Sequence, residues 1–406
     1  MTALPQHGAP WPELEQRMRE LGARDVKWRE GKTAVYVFNA GPEVEQVKKA
    51  AYAMFSEENG LGPAAFPSLA QMEREVVGFG LSLMHAPAGA AGAMTSGGTD
   101  SITMAIKAAR DHVRAKGRKG AANIVVPYSA HPAFDKACAL MDIEVRRVSL
   151  KDYLADPAAM EAALDANTLM LVGSAPCFPF GLIDPIPALS AIAEKHGVWL
   201  HVDACVGGYF APFAAMNGAA LTEWDFALPG VMSISADLHK YGYASKGAST
   251  VLFRSEALKE RMTFDAGPWP LGRMMTPTLA GTRPGGAIAA AWAVMNFLGV
   301  DGYRARQGAV VRAREKIEAG VKRLGFRVHG APQLGLIAFS HEGADTFGLF
   351  AKLHHRGWMQ GALVDPPALH LMLSPIHDEV ADVYLADLEA ALADAGVAPK
   401  AANYSE

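Results

Sequence analysis

Residues 231–250 read V-M-S-I-S-A-D-L-H-K-Y-G-Y-A-S-K-G-A-S-T. The apolar run at 231–234 predicts a buried strand. Ser235, Asp237, His239 and Lys240 then crowd together ahead of a second β-rich run at 249–253. A lysine presented by a rigid strand and followed by small residues has little bulk competing around its amine. Partial desolvation is expected to lower the pKa of such an amine and let it form a Schiff base with an aldehyde. On its own the stretch also fits an ordinary surface lysine, so its reading depends on what surrounds it.

Upstream, V-W-L-H-V-D-A-C at 198–205 is an apolar run ending in Asp203, followed by Gly207-Gly208. It predicts a central parallel strand with a carboxylate at its carboxyl end, where open α/β sheets gather ligand groups. Farther upstream, M-T-S-G-G-T-D at 94–100 runs straight into a helical pattern from Ser101 to Arg110. Glycines at a helix N-terminus let backbone N–H groups converge on a phosphate, helped by the helix dipole. Phosphate cradle, strand-end acid and lysine follow in that order. Pyridoxal 5′-phosphate (PLP) needs all three: an anchor for its phosphate, an acid for its ring nitrogen and an amine for its aldehyde.

With these residues in place the chain resembles the PLP-dependent group II decarboxylase superfamily of fold type I, and within it the sphingosine-1-phosphate lyase family. The resemblance is carried by T-S-G-G-T-D-S-I-T-M-A at 95–105, H-P-A-F-D-K-A at 131–137 and G-S-A-P-C-F-P-F-G-L-I-D-P-I at 173–186. H-V-D-A-C-V-G-G-Y at 201–209, the lysine stretch, and P-T-L-A-G-T-R-P-G-G at 277–286 complete it. It extends over roughly residues 28–392.

The resemblance implies an aspartate-aminotransferase-like α/β fold: a mainly parallel, seven-stranded-type sheet with helices on both faces, plus a smaller C-terminal α+β domain. It implies Lys240 as the cofactor lysine, Asp203 as the partner of the ring nitrogen and His131 as the histidine stacked on the ring. Gly97, Gly98, Thr99 and His239 match phosphate-contacting positions. Gly281 and Thr282 match a segment that reaches the phosphate from the neighbouring subunit, which implies a homodimer with shared active sites. Lys246 and Arg283 match basic positions at the substrate end. Departures are concentrated there as well. Gly62 and Phe180 stand where the family commonly has histidines, Cys177 where it has glutamine and Met274 where it has tyrosine.

An intact cofactor set with an altered substrate-facing set points to a carbon–carbon lyase acting by retro-aldol chemistry on a β-hydroxy amine or a phosphorylated long-chain-base-like compound. Cleavage of sphingosine phosphate itself is put in question. An amino-acid α-decarboxylase is the alternative, and a non-catalytic PLP-binding homologue is a third reading, disfavoured by the presence of both Asp203 and Lys240. The pocket decides which bond at the amine-bearing carbon lies perpendicular to the ring.

The remaining sequence narrows the class. The chain has 406 residues, half of them hydrophobic, and a formal charge of −4, so a large core is expected and no nucleic-acid or membrane-surface binding. Cys138, Cys177 and Cys205 lack C-x-x-C spacing and suit a reducing cytoplasm without disulfides or a metal site. Residues 1–15 carry no signal-peptide pattern, and the most apolar helix candidate, 287–300, is shorter than the ~20 residues a membrane span needs. That segment is expected to serve as a subunit interface.

Alternating strands (123–127, 144–148, 169–173, 198–203, 231–235, 249–253) and helices (101–116, 132–141, 156–166, 187–196) predict the sheet domain. The expected organisation is an N-terminal segment (1–60), a large PLP-binding domain (61–300) and a small domain (301–406), the last helix running over 378–395.

Overall fold

The six expected strand runs from 123 to 253 join Ala91–Thr95 in one sheet of seven strands. Their order is Ala91–Thr95, Ser249–Phe253, Val231–Ala236, Trp199–Asp203, Thr168–Ser174, Asn123–Pro127, Glu144–Val148. A computed structural model describes residues 1, 3–118 and 120–394. Six of the seven strands point the same way; Ser249–Phe253 alone is reversed and pairs antiparallel with its neighbours on both sides. The central strands Asn123–Pro127, Thr168–Ser174 and Trp199–Asp203 are buried at every residue, which is why they read as continuous apolar runs rather than alternating ones.

All six expected strands are present within a residue or two. The edge strand Ala91–Thr95 was not anticipated, because Ala-Gly-Ala carries little strand signal. Its small residues answer a packing need. A Cβ on Gly92 would lie 2.6 Å from Leu252 Cδ2 and 2.7 Å from the Val251 carbonyl. The helix expected over 156–166 is shorter, Pro157–Ala162. Asp156 caps its start by accepting from Ala158 N and Ala159 N. Asp165 then gathers Asn123 Nδ2 and Asn167 N, each at 2.8 Å, into a turn that ends it.

A longer difference concerns 287–300. The segment is the first part of one helix, Gly285–Arg323, broken at Gly299 (φ 54°, ψ −173°). The boundary expected after residue 300 falls next to this break. Ala287, Ile288, Ala291, Val294 and Leu298 are buried within the chain, and this helix packs on Pro42–Met54 and on His377–Ala393. Its apolar side is therefore covered by the chain's own core, leaving only Phe297 and Val300 exposed among its large apolar residues. That corrects the interface expected there.

The C-terminal region forms an antiparallel sheet in the order Arg327–Val328, Leu336–Ser340, Pro367–Met372, Gly361–Val364. The last helix is His377–Ala393; the expected end at Ala395 lies outside the described residues. An unanticipated hairpin, Phe264–Trp269 with Gly272–Thr276, stands off the large sheet.

Candidate active site

Four parallel strands place their carboxyl ends side by side, and each delivers part of one cavity of about 360 Å³. Asn123–Pro127 leads to His131, Thr168–Ser174 to Pro176 and Phe178, Trp199–Asp203 ends on Asp203, and Val231–Ala236 leads to Lys240. Together with Gly97, Gly98, Thr99 and His239, these residues line the cavity. Seven expected positions from four chain segments thus meet in one place, as the sheet topology requires.

Lys240 sits on a tight turn whose bonds run from His239 N to Ala248 O (3.0 Å) and from Tyr243 N to Lys240 O (3.0 Å). Tyr243 takes a left-handed conformation (φ 57°). Its hydroxyl is held by Gln307 Oε1 at 3.0 Å, and Gln307 Nε2 reaches Tyr209 O at 2.9 Å and Tyr241 O at 3.1 Å. The Lys240 amine lies 2.9 Å from Asp237 Oδ2. Burial acts to lower its pKa, but the Asp237 carboxylate more than offsets this and the net shift is upward. Burial likewise acts to raise Asp237, and Lys240, with His239, holds it below the ordinary value. The lowered lysine pKa expected from desolvation alone is thereby corrected: in this chain the amine is kept charged by a buried partner.

Gly97 caps the helix Gly98–Ala115, and no side chain covers its first amides. The loop before it is ordered by Asp100 Oδ2, which accepts from Ser96 N and Ser96 Oγ, both at 3.0 Å. A Cβ on Gly98 would lie 2.7 Å from Cys205 Sγ and 3.1 Å from both Asp237 oxygens. Asp203 is 8% exposed, and its Oδ1 accepts from Cys205 N at 3.0 Å and Ser235 Oγ at 3.2 Å. His131 Nδ1 accepts from Ala133 N at 3.1 Å. Burial, the largest influence, lowers its pKa, so the ring is neutral at pH 7 with its proton on Nε2. Arg147 steadies the loop before it by donating to Tyr128 O (3.1 Å) and Ala130 O (3.0 Å).

The other expected residues lie outside this cavity. Lys246 is solvent-accessible, but its amine is packed among protein atoms: it donates to Tyr36 O at 2.7 Å and lies 5.3 Å from the centre of the Phe38 ring. That crowding, followed by the Lys240 cation, lowers its pKa to about 8. Arg283 forms a two-pronged ion pair with Glu73 (2.6 and 2.8 Å) and donates to Gly60 O at 2.8 Å. Gly281 and Thr282 follow the hairpin that carries Met274, and Thr282 Oγ1 accepts from Asn59 Nδ2 at 3.3 Å. Gly62 lies on the same Asn59 loop. Cys177 and Phe180 pack with Leu182, Ala338 and Ala368 beneath the wall, and burial pushes the Cys177 thiol up to about 12.

Two features escaped sequence reasoning. Asp237 had been noticed without a role, although its spacing of three residues from Lys240 suits a pair on one turn. A second cavity of about 560 Å³ shares His131 and Phe178 with the first. It is lined by apolar groups such as Val35, Phe350, Met359 and Leu363, with Tyr36 and Tyr128 beside them. These come from distant segments, so no local pattern announces them.

The cradle tests the site for PLP. Gly98 leaves open the space a side chain would fill at an uncapped helix N-terminus, and the acid and the amine stand across from it. The residues lining the cavity fit the cofactor: the 97–99 amides and His239 would suit the phosphate, Asp203 the ring nitrogen, His131 the ring and Lys240 the aldehyde.

Comparison with known proteins agrees. The pyridoxal-dependent decarboxylase conserved domain matches residues 2–342. The chain belongs to the pyridoxal-dependent decarboxylase family. It is a PLP-dependent lyase of the sphingosine-1-phosphate lyase kind. Within this family it is 39% identical to the sphingosine-1-phosphate lyase of Oryza sativa subsp. japonica over 382 residues, 92% of this chain and 71% of that protein. It is 35% identical to a probable L-tyrosine/L-aspartate decarboxylase of Methanothrix thermoacetophila, covering 96% of this chain and 97% of that one. The solved sphingosine-1-phosphate lyase of Burkholderia pseudomallei superposes with a TM-score of 0.93 at 36% identity, over 97% of this chain and 93% of that one. The fold is accordingly that of fold-type-I PLP enzymes. Among the described residues no helix is long and apolar enough to cross a membrane, and no cluster of side chains suits a metal ion.

Proposed function

We propose that this enzyme cleaves the Cα–Cβ bond of an anionic β-hydroxy amine that carries an apolar chain, releasing an aldehyde. The observation that carries this reading is the pair of cavities meeting at His131 and Phe178, with the Lys246 amine nearby at Tyr36. One cavity suits the cofactor, the second an apolar chain, and the amine a phosphate or carboxylate.

When bound, PLP supplies an aldehyde that takes up amines and a cationic ring that accepts the electrons released at the amine-bearing carbon. The chain's own residues do the rest. Asp203 would pair with the protonated ring nitrogen, and His131 would cover the ring and, with Phe178, exclude water. Lys240 Nζ would hold the cofactor's aldehyde and, beside Asp237 Oδ2, is placed to take up and return a proton. Lys246 holds the substrate anion, while Arg283 fixes the Asn59 loop through Glu73 and Gly60. Cys177, packed beneath the wall, and Met274, on the hairpin, would act on the substrate only indirectly.

The proposed assembly is a cytoplasmic homodimer in which Gly281 and Thr282 complete the partner's phosphate site. Two uncovered apolar surfaces support it. The hairpin region exposes Phe264, Trp269, Leu271, Met275 and Leu279, and the helix Trp11–Gly22, which buries none of its residues, exposes Trp11, Leu14, Met18 and Leu21. Such patches mark interfaces. The three buried free cysteines suit a reducing compartment. Amino-acid α-decarboxylation is the second reading, favoured by the 35% identity to the Methanothrix decarboxylase.

Incubation with a panel of amino acids and of phosphorylated and unphosphorylated amino alcohols, with aldehyde and carbon dioxide detected separately, decides between them. Aldehyde from a β-hydroxy amine supports the proposal. Carbon dioxide without aldehyde supports the alternative.

A further inference from the structure

The strands Trp199–Asp203 and Val231–Ala236 run side by side, with His201 opposite Ser233 and Asp203 opposite Ser235. Alternate strand residues share a face, so Trp199, His201 and Asp203 stand in line beside the two serines. Trp199 Nε1 donates to Ser233 Oγ at 2.8 Å. His201 bridges the serines, its Nδ1 2.8 Å from Ser233 Oγ and its Nε2 3.2 Å from Ser235 Oγ. Ser235 Oγ donates to Asp203 Oδ1 at 3.2 Å. His201, Ser233 and Ser235 are each 0% exposed, so solvent supplies none of their bonds.

The proton positions follow from counting donors. An indole N–H only donates, so Ser233 Oγ accepts from Trp199. Ser235 Oγ has a single hydroxyl proton, and it points to Asp203 Oδ1. With that proton committed, Ser235 must accept from His201, which places a proton on Nε2. Burial lowers the pKa of His201 to about 4, so the neutral ring has no second proton and Nδ1 is an acceptor. Ser233 therefore gives its proton to Nδ1. Cys205 Sγ, 3.4 Å from Ser235 Oγ, occupies the remaining acceptor direction.

We infer that Trp199, Ser233, His201 and Ser235 form a one-way hydrogen-bond chain that ends on Asp203 Oδ1 and fixes the orientation of this carboxylate, leaving Oδ2 for the ring nitrogen of bound PLP. His201 is a positioning residue in this chain: it touches neither cofactor nor substrate and acts through Ser235. Each donor polarises the next, and the last holds the Asp203 carboxylate in one orientation. The inference rests on Asp203 facing that nitrogen and not on which bond of the substrate is cleaved.

The test uses full-length holoenzyme labelled with nitrogen-15 in histidine. His201 is expected as the Nε2–H tautomer throughout the neutral pH range; an Nδ1–H tautomer or a doubly protonated ring overturns the chain. This measurement needs no variant and no turnover, so it stands whether or not the proposed reaction is correct. Ser233→Ala, a change outside both cavities, is expected to weaken PLP retention roughly fivefold, the loss of about one hydrogen bond. It should also alter the visible absorption band of the bound cofactor, with Ser233→Thr restoring both. A Ser233→Ala enzyme with wild-type band and PLP affinity shows that the bonds serve packing alone.

Discussion

Lys240 Nζ and Asp237 Oδ2 form a 2.9 Å ion pair on a single turn, with Asp237 almost wholly buried beneath the lysine. Its pH range follows from the two shifts. Asp237 is lowered, so its contribution to stability is complete above the ordinary carboxyl value of 3.8 and is lost as pH falls through the folded value. Lys240 is raised, so its contribution is complete below 10.5 and is lost as pH rises through the folded value. Asp237→Asn leaves a cation without its partner, and a cofactor-free protein is expected to lose about 3 kcal/mol at neutral pH. Urea unfolding of the two apoproteins measures this, and an unchanged midpoint counts against the pair.

Lys246 should report on substrate charge. With a pKa near 8, it loses its proton just above neutrality, so KM for an anionic substrate is expected to climb as pH passes through that value. Lys246→Met should flatten this profile and raise KM ten- to a hundredfold, the range of one charge-assisted hydrogen bond, while PLP still binds. A mutant with wild-type KM makes Lys246 a bystander.

Two adjacent glycines should behave differently. Gly98→Ala forces a methyl against Cys205 Sγ and Asp237 and is expected to weaken PLP binding at least tenfold. The nearest atom to a Cβ on Gly97 is His239 Cε1 at 3.6 Å, and its backbone (φ 164°, ψ 171°) is extended. Gly97→Ala should therefore keep PLP affinity within about twofold, an ordinary surface-scale effect. Equal losses in a PLP titration of both variants contradict the cradle geometry.

Subunit sharing can be tested by mixing. Lys240→Ala and Thr282→Trp chains should each be inactive alone. After subunit exchange about a quarter of wild-type activity is expected, because half the dimers are mixed and each mixed dimer carries one intact site. Failure to recover activity, with exchange verified by mass, argues against a site shared across the dimer.

Much of the site was legible because the cofactor's demands fall on contiguous motifs. The cradle glycines, Asp203 and Lys240 each sit at an element end, where a short apolar run beside Gly, Asp or Lys is a local signal. The central strands were legible for the same reason, being buried on both faces. Asp237 was visible but unread, since its effect on Lys240 depends on burial that no spacing reveals. Tyr36, Phe350 and Leu363 reach the second cavity from distant segments, and only the packing of the C-terminal sheet against the large one brings them together. The edge strand Ala91–Thr95 was missed because its residues were small enough to pack closely, and smallness erases the β signal.

The helix Gly285–Arg323 gives the catalytic turn a mechanical dependence on remote sequence. Before Gly299 it is clamped to the N-terminal helix Pro42–Met54; beyond the break it carries Gln307, whose amide grips Tyr209, Tyr241 and Tyr243 at once. The position of the segment after Gly299 thus bears on the turn that carries Lys240. The lysine's aim is set from behind by a lever whose fulcrum is a glycine, and residues that never approach the cavity share in deciding where the amine points.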